Sequence, residues 1–339
     1  MAAKIKNKTP GSGAKAKVLV TGATGFVGAN LAERLVREGY KVRALVRKTS
    51  NASHLENLGI ELAYGDITDE RAVRAAVHGT EIVFHVAGAL ASVVPDENKL
   101  MKINAEGTTN IIHACKAEGV QHLIHCSTGG VLGFPAKLPA DESFPYRPVT
   151  AYERSKAEAE KRVLAAVGAG LNVTVLRPVL IYGPRDTANL LPLFRGINKG
   201  YFFIVGGGKN TLHPIYIDNL VDAFLLVAGN EKAYGQVYMV LDEHAVTMDD
   251  FAGAIAHSLK KRAPVHLPLV FAKLAGTAFD AVRRVTGINF PLSRDRVNFL
   301  TSDFAYSGRK LAELGYMPKI STEQGVYRTA KWYAENKLV

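Results

Sequence analysis

The stretch TGATGFVG, residues 21–28, decides how the rest of the chain is read. Gly22, Gly25 and Gly28 fall three apart, directly after the apolar run KVLV that starts at Lys17, and ANLAERLVREG follows with helical spacing. A strand, a tight turn and a helix start are expected in succession. Such a turn frees backbone N–H groups at the positive end of a helix dipole, where a pyrophosphate is held. The spacing G-x-x-G-x-x-G is one residue longer at the front than the usual dinucleotide fingerprint, and a turn that merely needs small residues would look alike. Context favours binding: Gly28 falls inside the helix, where a side chain would obstruct close packing on a sheet.

Working outward, strand-like runs recur with helical segments between them: KVRALV at 41, ELAYG at 61, EIVFHVAG at 81, HLIHCS at 122 and NVTVLRP at 172. Period-3.6 segments such as RAVRAAVHG from Arg71 and AYERSKAEAEKRVLAAVG from Ala151 lie between or beside them. Near-continuous Val, Ile and Leu runs suit strands buried on both faces, so the fold class is α/β, a doubly wound parallel sheet of Rossmann type. After RPVLIYGPRD the rhythm changes to denser proline, glycine and aromatic residues. The expected organisation is a basic tail over 1–16, a dinucleotide-binding domain over 17–180 with a return segment at 212–230, and a smaller, mainly helical substrate lobe in the remainder of 181–339.

Composition narrows the function classes. The 339 residues are 47% hydrophobic and 22% charged, as in an ordinary globular protein. No run reaches the roughly 18 apolar residues of a spanning helix, and the start MAAKIKNKTPGSGAKAK lacks the apolar stretch of a signal peptide. Of the net +11, Lys4, Lys6, Lys8, Lys15 and Lys17 supply five charges, leaving +6 spread along the rest. No basic run is interleaved with aromatics, so no nucleic-acid partner is expected. Cys115 and Cys126 each sit in a segment that reads as buried, which suits a reducing cytoplasmic setting. His122 and His125 are three apart on a strand and point to opposite faces, and no other histidine spacing suggests a metal site.

The dinucleotide fingerprint calls for an acidic residue about 20 positions on, to bond the adenosine ribose hydroxyls. From Gly39 to Leu55 there is none; Arg43, Arg47 and Lys48 stand there instead. Arg47, at the end of its strand, is placed to pair with a 2′-phosphate, so NADP is expected as cofactor, with NAD the alternative. In YERSK, Tyr152 and Lys156 lie four apart on a helix and project from one face. A phenol is a poor base at neutral pH, and a neighbouring ammonium stabilises its phenolate.

With TGATGFVG, GDITD, HVAG, INAEGTTNIIHAC, CSTGGVLG, YERSK, RPVLIYGP, IYIDNLVDAF, LGYMP and KWYAEN, the chain resembles the extended short-chain dehydrogenase/reductase superfamily from Lys17 onward. It looks most like the branch of 3β-hydroxysteroid dehydrogenase-like, dihydroflavonol reductase-like and hopanoid-associated epimerase-like proteins. The resemblance implies that Tyr152 is the general acid/base, that Lys156 lowers its pKa and holds the nicotinamide ribose, and that Thr128 bonds the substrate oxygen, with Ser127 as understudy. It implies further cofactor contacts at Gly22, Thr24, Gly25, Phe26, Val27 and Gly28 of the turn, Asp66 and Ile67 at the adenine, and Ala87, Gly88, Asn104 and Pro178 along the cofactor's path. It also implies a homodimer through the helices around NAEGTTNIIHACKAEG and YERSKAEAEKRVLAAV, burying Ile111, Ile112 and Val163 if the sheet does not already use them.

The substrate is less determined. Sugar-nucleotide epimerases of this superfamily commonly carry an arginine ahead of the segment that is IYIDN here, whereas this chain has Leu212 and His213, with Arg294 and Arg296 as possible compensation. The apolar segment from Pro264 to Pro291 has three readings: a cover over an apolar substrate, a structural cap on the second lobe, or a membrane-surface attachment. The expected function is an NAD(P)-dependent oxidoreductase acting on a hydroxyl or keto group of an apolar, sterol-like or related, small molecule. The alternative is a nucleoside-diphosphate-sugar epimerase or dehydratase with tightly bound NAD. A dinucleotide-sensing regulator would require loss of Thr128, Tyr152 or Lys156, and all three are present.

Overall fold

A computed structural model describes residues 15–135, 137–286, 297–298 and 300–339. The first half alternates as the spacing predicts: β1 (Lys17–Thr21), α1 (Phe26–Arg37), β2 (Lys41–Val46), α2 (Ser53–Asn57), β3 (Glu61–Tyr64), α3 (Glu70–Val77) and β4 (Ile82–His85). Then come α4 (Glu97–Met101), one wide π turn at Lys102–Glu106, α5 (Gly107–Ala117), β5 (His122–Cys126), α6 (Ala151–Ala165) and β6 (Val173–Pro178). Every strand pair of the large sheet is parallel, in the order β3-β2-β1-β4-β5-β6 and one further strand. Chain order reverses between β1 and β4, and the crevice outside the carboxyl ends of such strands is where a doubly wound sheet binds its ligand.

The second half is β7 (Leu180–Tyr182), α7 (Leu191–Lys199), β8 (Phe203–Val205), β9 (Thr211–Leu212), β10 (Pro214–Tyr216), α8 (Ile217–Val227), β11 (Gln236–Val240), β12 (Val246–Thr247), α9 (Met248–Ser258), β13 (Val265–Leu267), α10 (Leu269–Thr286), α11 (Arg309–Glu313) and α12 (Thr322–Glu335). β11 is the seventh strand of the large sheet, parallel to β6, so the return to the first domain runs past residue 230. α8 packs against α1 and β6, completing the helical layer on that face. Three two-stranded sheets, β7 with β10, β8 with β13 and β9 with β12, build the smaller lobe.

Each face of the large sheet has its own core. Val18, Val20, Phe84 and Ile124 pack toward α1 and α8, while Leu19, Val83, Leu123 and Val175 pack toward α3, α5 and α6. Ile111, Ile112 and Val163 belong to the second of these cores and are buried within the single chain. The sheet therefore already uses these three residues, and the condition under which they would line a dimer face is not met. Cys115 and Cys126 are buried and unbridged. Among the described residues no helix is long and apolar enough to cross a membrane, and no cluster of candidate metal ligands occurs.

Candidate functional site

The glycine turn is built by contact. Gly22 adopts φ +74°, a left-handed conformation, and a Cβ there would lie 2.8 Å from the Cα of Ala87 at the end of β4. A Cβ on Gly28 would lie 2.2 Å from the carbonyl oxygen of Gly22, so the first turn of α1 rests directly on the loop. Gly25 N-caps α1 without a side-chain cap, leaving the amides of Phe26, Val27 and Gly28 to a ligand or solvent. Beside this turn lies a cleft of about 400 Å³ lined by Thr24, Gly25 and Phe26 and, from across it, His54, Leu90 and Arg185.

His54 and Arg185 were not legible as site residues. Arg185 has φ +74°, its Nη2 pairs with Glu33 at 2.7 Å, and its Nη1 is buried without a partner. Nε2 of His54 is likewise buried and unpartnered, and burial, then the charge of Arg185, lower its pKa. In the sequence, Arg185 carried one signal, its place in YGPRD directly after a strand; His54 carried none. Glycines that leave no room for side chains, uncapped helix amides and a buried unpaired guanidinium nitrogen together fit the diphosphate of a dinucleotide.

Arg47 and Lys48 emerge at the carboxyl end of β2, exposed and without a side-chain partner among the described residues. Arg43 is spent elsewhere: its guanidinium binds Glu61 and the carbonyls of Ala76 and His78, so it cannot assist Arg47. Asp66 closes its own turn by accepting from the amide and hydroxyl of Thr68. Ile67 is buried beneath Gly107, where a Cβ would meet its side chain at 2.9 Å. Asn104 accepts from the amide of Ala89 and donates to its carbonyl and to Ser155 Oγ, so both ends of its amide tie α6 to the backbone just after Gly88. Pro178 ends β6 beside Val240.

Tyr152 and Lys156 occupy the first turns of α6, which starts in a capping box between Thr150 and Glu153. Lys156 is buried, and its Nζ donates to the carbonyl of Cys126 at 2.6 Å, leaving two N–H groups. A Cβ on Gly88 would lie 4.0 Å from that Nζ, so the end of β4 and the lysine meet. Burial lowers the Lys156 pKa, while the Cys126 and Glu160 charges oppose this. Its ammonium acts on His85, His125 and Cys126, lowering each after burial has had its larger effect. The Tyr152 phenol is pushed above its ordinary value, first by burial and then by Cys126 and Glu153. Lys156 is thus turned to the Cys126 carbonyl, and burial dominates the phenol.

The two hydroxyls behind β5 differ in what they have free. Ser127 donates to Glu160, itself fully buried and bound to Arg177 and to the Tyr146 hydroxyl, so its proton is committed. Thr128 only accepts, from the amide of Gly130 at 3.2 Å, and keeps its O–H to donate. His213 is buried with Nε2 on the carbonyl of Asp242 and Nδ1 on the amide of Tyr306, and burial lowers its pKa. Arg294 and Arg296 lie outside the described residues, as does residues 287–291 of the apolar segment. His122 and His125 diverge as expected: the first bonds Thr174 and Gly229, the second stacks on His85.

Residues 18–240 match the family described as "NAD dependent epimerase/dehydratase family". The chain is similar to the 3 beta-hydroxysteroid dehydrogenase/Delta 5-->4-isomerase of Mycobacterium tuberculosis, 31% identical with 94% of this chain and 90% of that protein covered. It is equally similar, at 31% with 91% and 94% covered, to the 4-hydroxy-2-methyl-3-oxo-4-farnesyl-3,4-dihydroquinoline-1-oxide ketoreductase of Stigmatella aurantiaca. At 28%, with 93% and 94% covered, it resembles the N-acetyl-alpha-D-glucosaminyl-diphospho-ditrans,octacis-undecaprenol 4-epimerase of Escherichia coli O157:H7. The fold is shared with the UDP-glucose 4-epimerase of Thermotoga maritima, TM-score 0.77 at 24% identity over 95% of this chain and 99% of that one. The chain belongs to the NAD-dependent epimerase/dehydratase family, the extended short-chain dehydrogenases/reductases, whose members use NAD(P).

Proposed function

We propose that this member of the NAD-dependent epimerase/dehydratase family is an NADP-linked reductase or dehydrogenase of a keto or hydroxyl group on an apolar, sterol-like or related, substrate, exchanging its cofactor at each turnover. The observation that carries this reading is the pair Leu212 and His213. Where sugar-nucleotide epimerases carry the arginine for a substrate diphosphate and the residue after it, this chain has Leu212, paired with Val246, and then His213, a buried imidazole whose two nitrogens are both committed to backbone. The relatives that act on a steroid and on a farnesylated quinoline support the same substrate class.

The turn amides of Phe26 and Val27, with Arg185, would hold the diphosphate, Arg47 and Lys48 a 2′-phosphate, and the two free N–H groups of Lys156 the nicotinamide ribose. When bound, the nicotinamide supplies or accepts the hydride. In reduction, Tyr152 Oη gives its proton to the substrate oxygen; a phenol kept protonated by burial is suited to that acid role. Thr128 Oγ1 donates a second hydrogen bond to the same oxygen and orients it. In oxidation the phenol must first lose its proton, and Lys156 must then turn from the Cys126 carbonyl toward it.

The epimerase reading keeps one specific support, the unpaired Nη1 of Arg185, which could meet a substrate phosphate instead of a cofactor phosphate. Nucleotide extracted from purified protein, combined with thermal shifts, separates the two. The reductase reading expects little retained NAD and stabilisation by a steroid ketone rather than by UDP- or GDP-sugars. Stoichiometric NAD with a clear shift by a sugar nucleotide would reverse the ranking.

A further inference from the structure

The smaller lobe carries an apolar surface that its own core does not use. β8 and β13 pair in parallel with Phe203 beside Val265 and Val205 beside Leu267, so alternation puts these four side chains on one face. α10 covers half of that face: Leu269 and Ala272 pack with Val205 and Leu267, joined by Val297 and Leu300. Phe203 and Val265 continue it uncovered, Val265 being 62% exposed. On its outer side α10 presents Val270, Phe271 and Leu274, 67%, 62% and 63% exposed, at the i, i+1, i+4 spacing of one stripe.

Cations flank the start of this stripe. Lys260, Lys261 and Arg262 stand exposed immediately before β13, and Lys273 is exposed within the stripe itself. None of the four has a carboxylate partner among the described residues, and the nearby Asp249 is taken by His266. A second copy of the chain meeting this face isologously would bring like charges together. An anionic lipid surface satisfies both features at once, taking the apolar side chains below the headgroups and the cations among them.

We propose that the outer face of β13 and α10, with Phe203, docks peripherally on anionic membrane lipid, so that a substrate dissolved in the bilayer is presented to the smaller lobe. The second clause rests on the apolar-substrate reading above; the docking itself does not. The test is co-sedimentation of the full chain with phosphatidylcholine vesicles containing or lacking phosphatidylglycerol, at low and high salt, with no substrate present. Expected is binding to the phosphatidylglycerol vesicles that weakens with salt. It should fall roughly 100-fold when Lys260, Lys261 and Arg262 are changed together to Glu. It should fall roughly tenfold or more in Phe271→Asp/Leu274→Asp. NADPH binding and melting temperature unchanged in both variants would show that they fold. Failure of the unaltered protein to sediment with these vesicles, equal sedimentation of the variants, or a Phe271-dependent dimer in place of vesicle binding would overturn the proposal. Turnover of a detergent-dispersed ketone without vesicle binding overturns docking alone; vesicle binding with sugar-nucleotide turnover overturns the substrate reading alone.

Discussion

Adding one methyl group at residue 28 should loosen the cofactor turn without touching any polar group. In Gly28→Ala the new Cβ would lie 2.2 Å from the carbonyl oxygen and 2.6 Å from the carbonyl carbon of Gly22. Comfortable carbon contacts need about 3.5 Å, so something must move by roughly 1 Å. Both obstructing atoms are backbone, so no rotamer change relieves the clash. Gly22 cannot retreat, because the space behind it is filled by the backbone of Ala87. Overpacking of this kind costs about 1–3 kcal/mol, and the better helix propensity of alanine returns at most about 1 kcal/mol. A net loss of about 1–2 kcal/mol is expected in urea unfolding. Displaced amides at Phe26 and Val27 should also weaken NADPH binding roughly 10- to 100-fold, the scale of one hydrogen bond to a charged group, in a fluorescence titration. Gly168→Ala is the control, since its Cβ meets nothing within 4 Å; it should leave NADPH binding unchanged and raise stability by at most about 1 kcal/mol. A Gly28→Ala protein that binds NADPH as the unaltered one does would refute the account of the turn.

Two further outcomes follow from single groups. Arg47→Ala should reduce the preference for NADPH over NADH by about 1–3 kcal/mol in paired titrations, and equal affinities in the unaltered protein would remove the 2′-phosphate role. Stability should fall as pH drops from 7 to 5, because burial holds His85 at about 3 and His122 at about 4, below the unfolded value of 6.5, so the unfolded chain takes up protons first. Each imidazole contributes a loss of about 2 kcal/mol by pH 5. Asp242, raised to about 6 by burial, opposes them, since it favours folding as it protonates and contributes roughly 1 kcal/mol over the same range. The net loss of about 2–3 kcal/mol is read by urea unfolding at the two pH values; equal stability would show that these histidines are not buried neutral.

Much of the nucleotide domain could be read along the chain because its information is local. Largely buried apolar runs mark β1, β2 and β4 to β6, the edge strand β3 being the exception, and the three glycines mark the turn whichever residues pack behind them. What escaped reading depended on partners distant in sequence. The five residues of β11 read as a short strand, but their place in the large sheet depends on the open edge that β6 offers. Arg185, from the loop after β7, and His54, from α2, reach the cleft from positions 131 residues apart, and no periodicity records that approach. Ser127 and Thr128 look alike in sequence; Glu160, more than 30 residues on, is what takes the proton of one and leaves the other free.

Steady-state oxidation of NADPH with a steroid ketone as substrate tests the proposed function most directly. Many turnovers per protein are expected, falling roughly 100-fold or more in Tyr152→Phe while NADPH still binds, since only the proton carrier is removed. No net NADPH consumption, together with interconversion of sugar-nucleotide epimers on cofactor that never leaves, would contradict it.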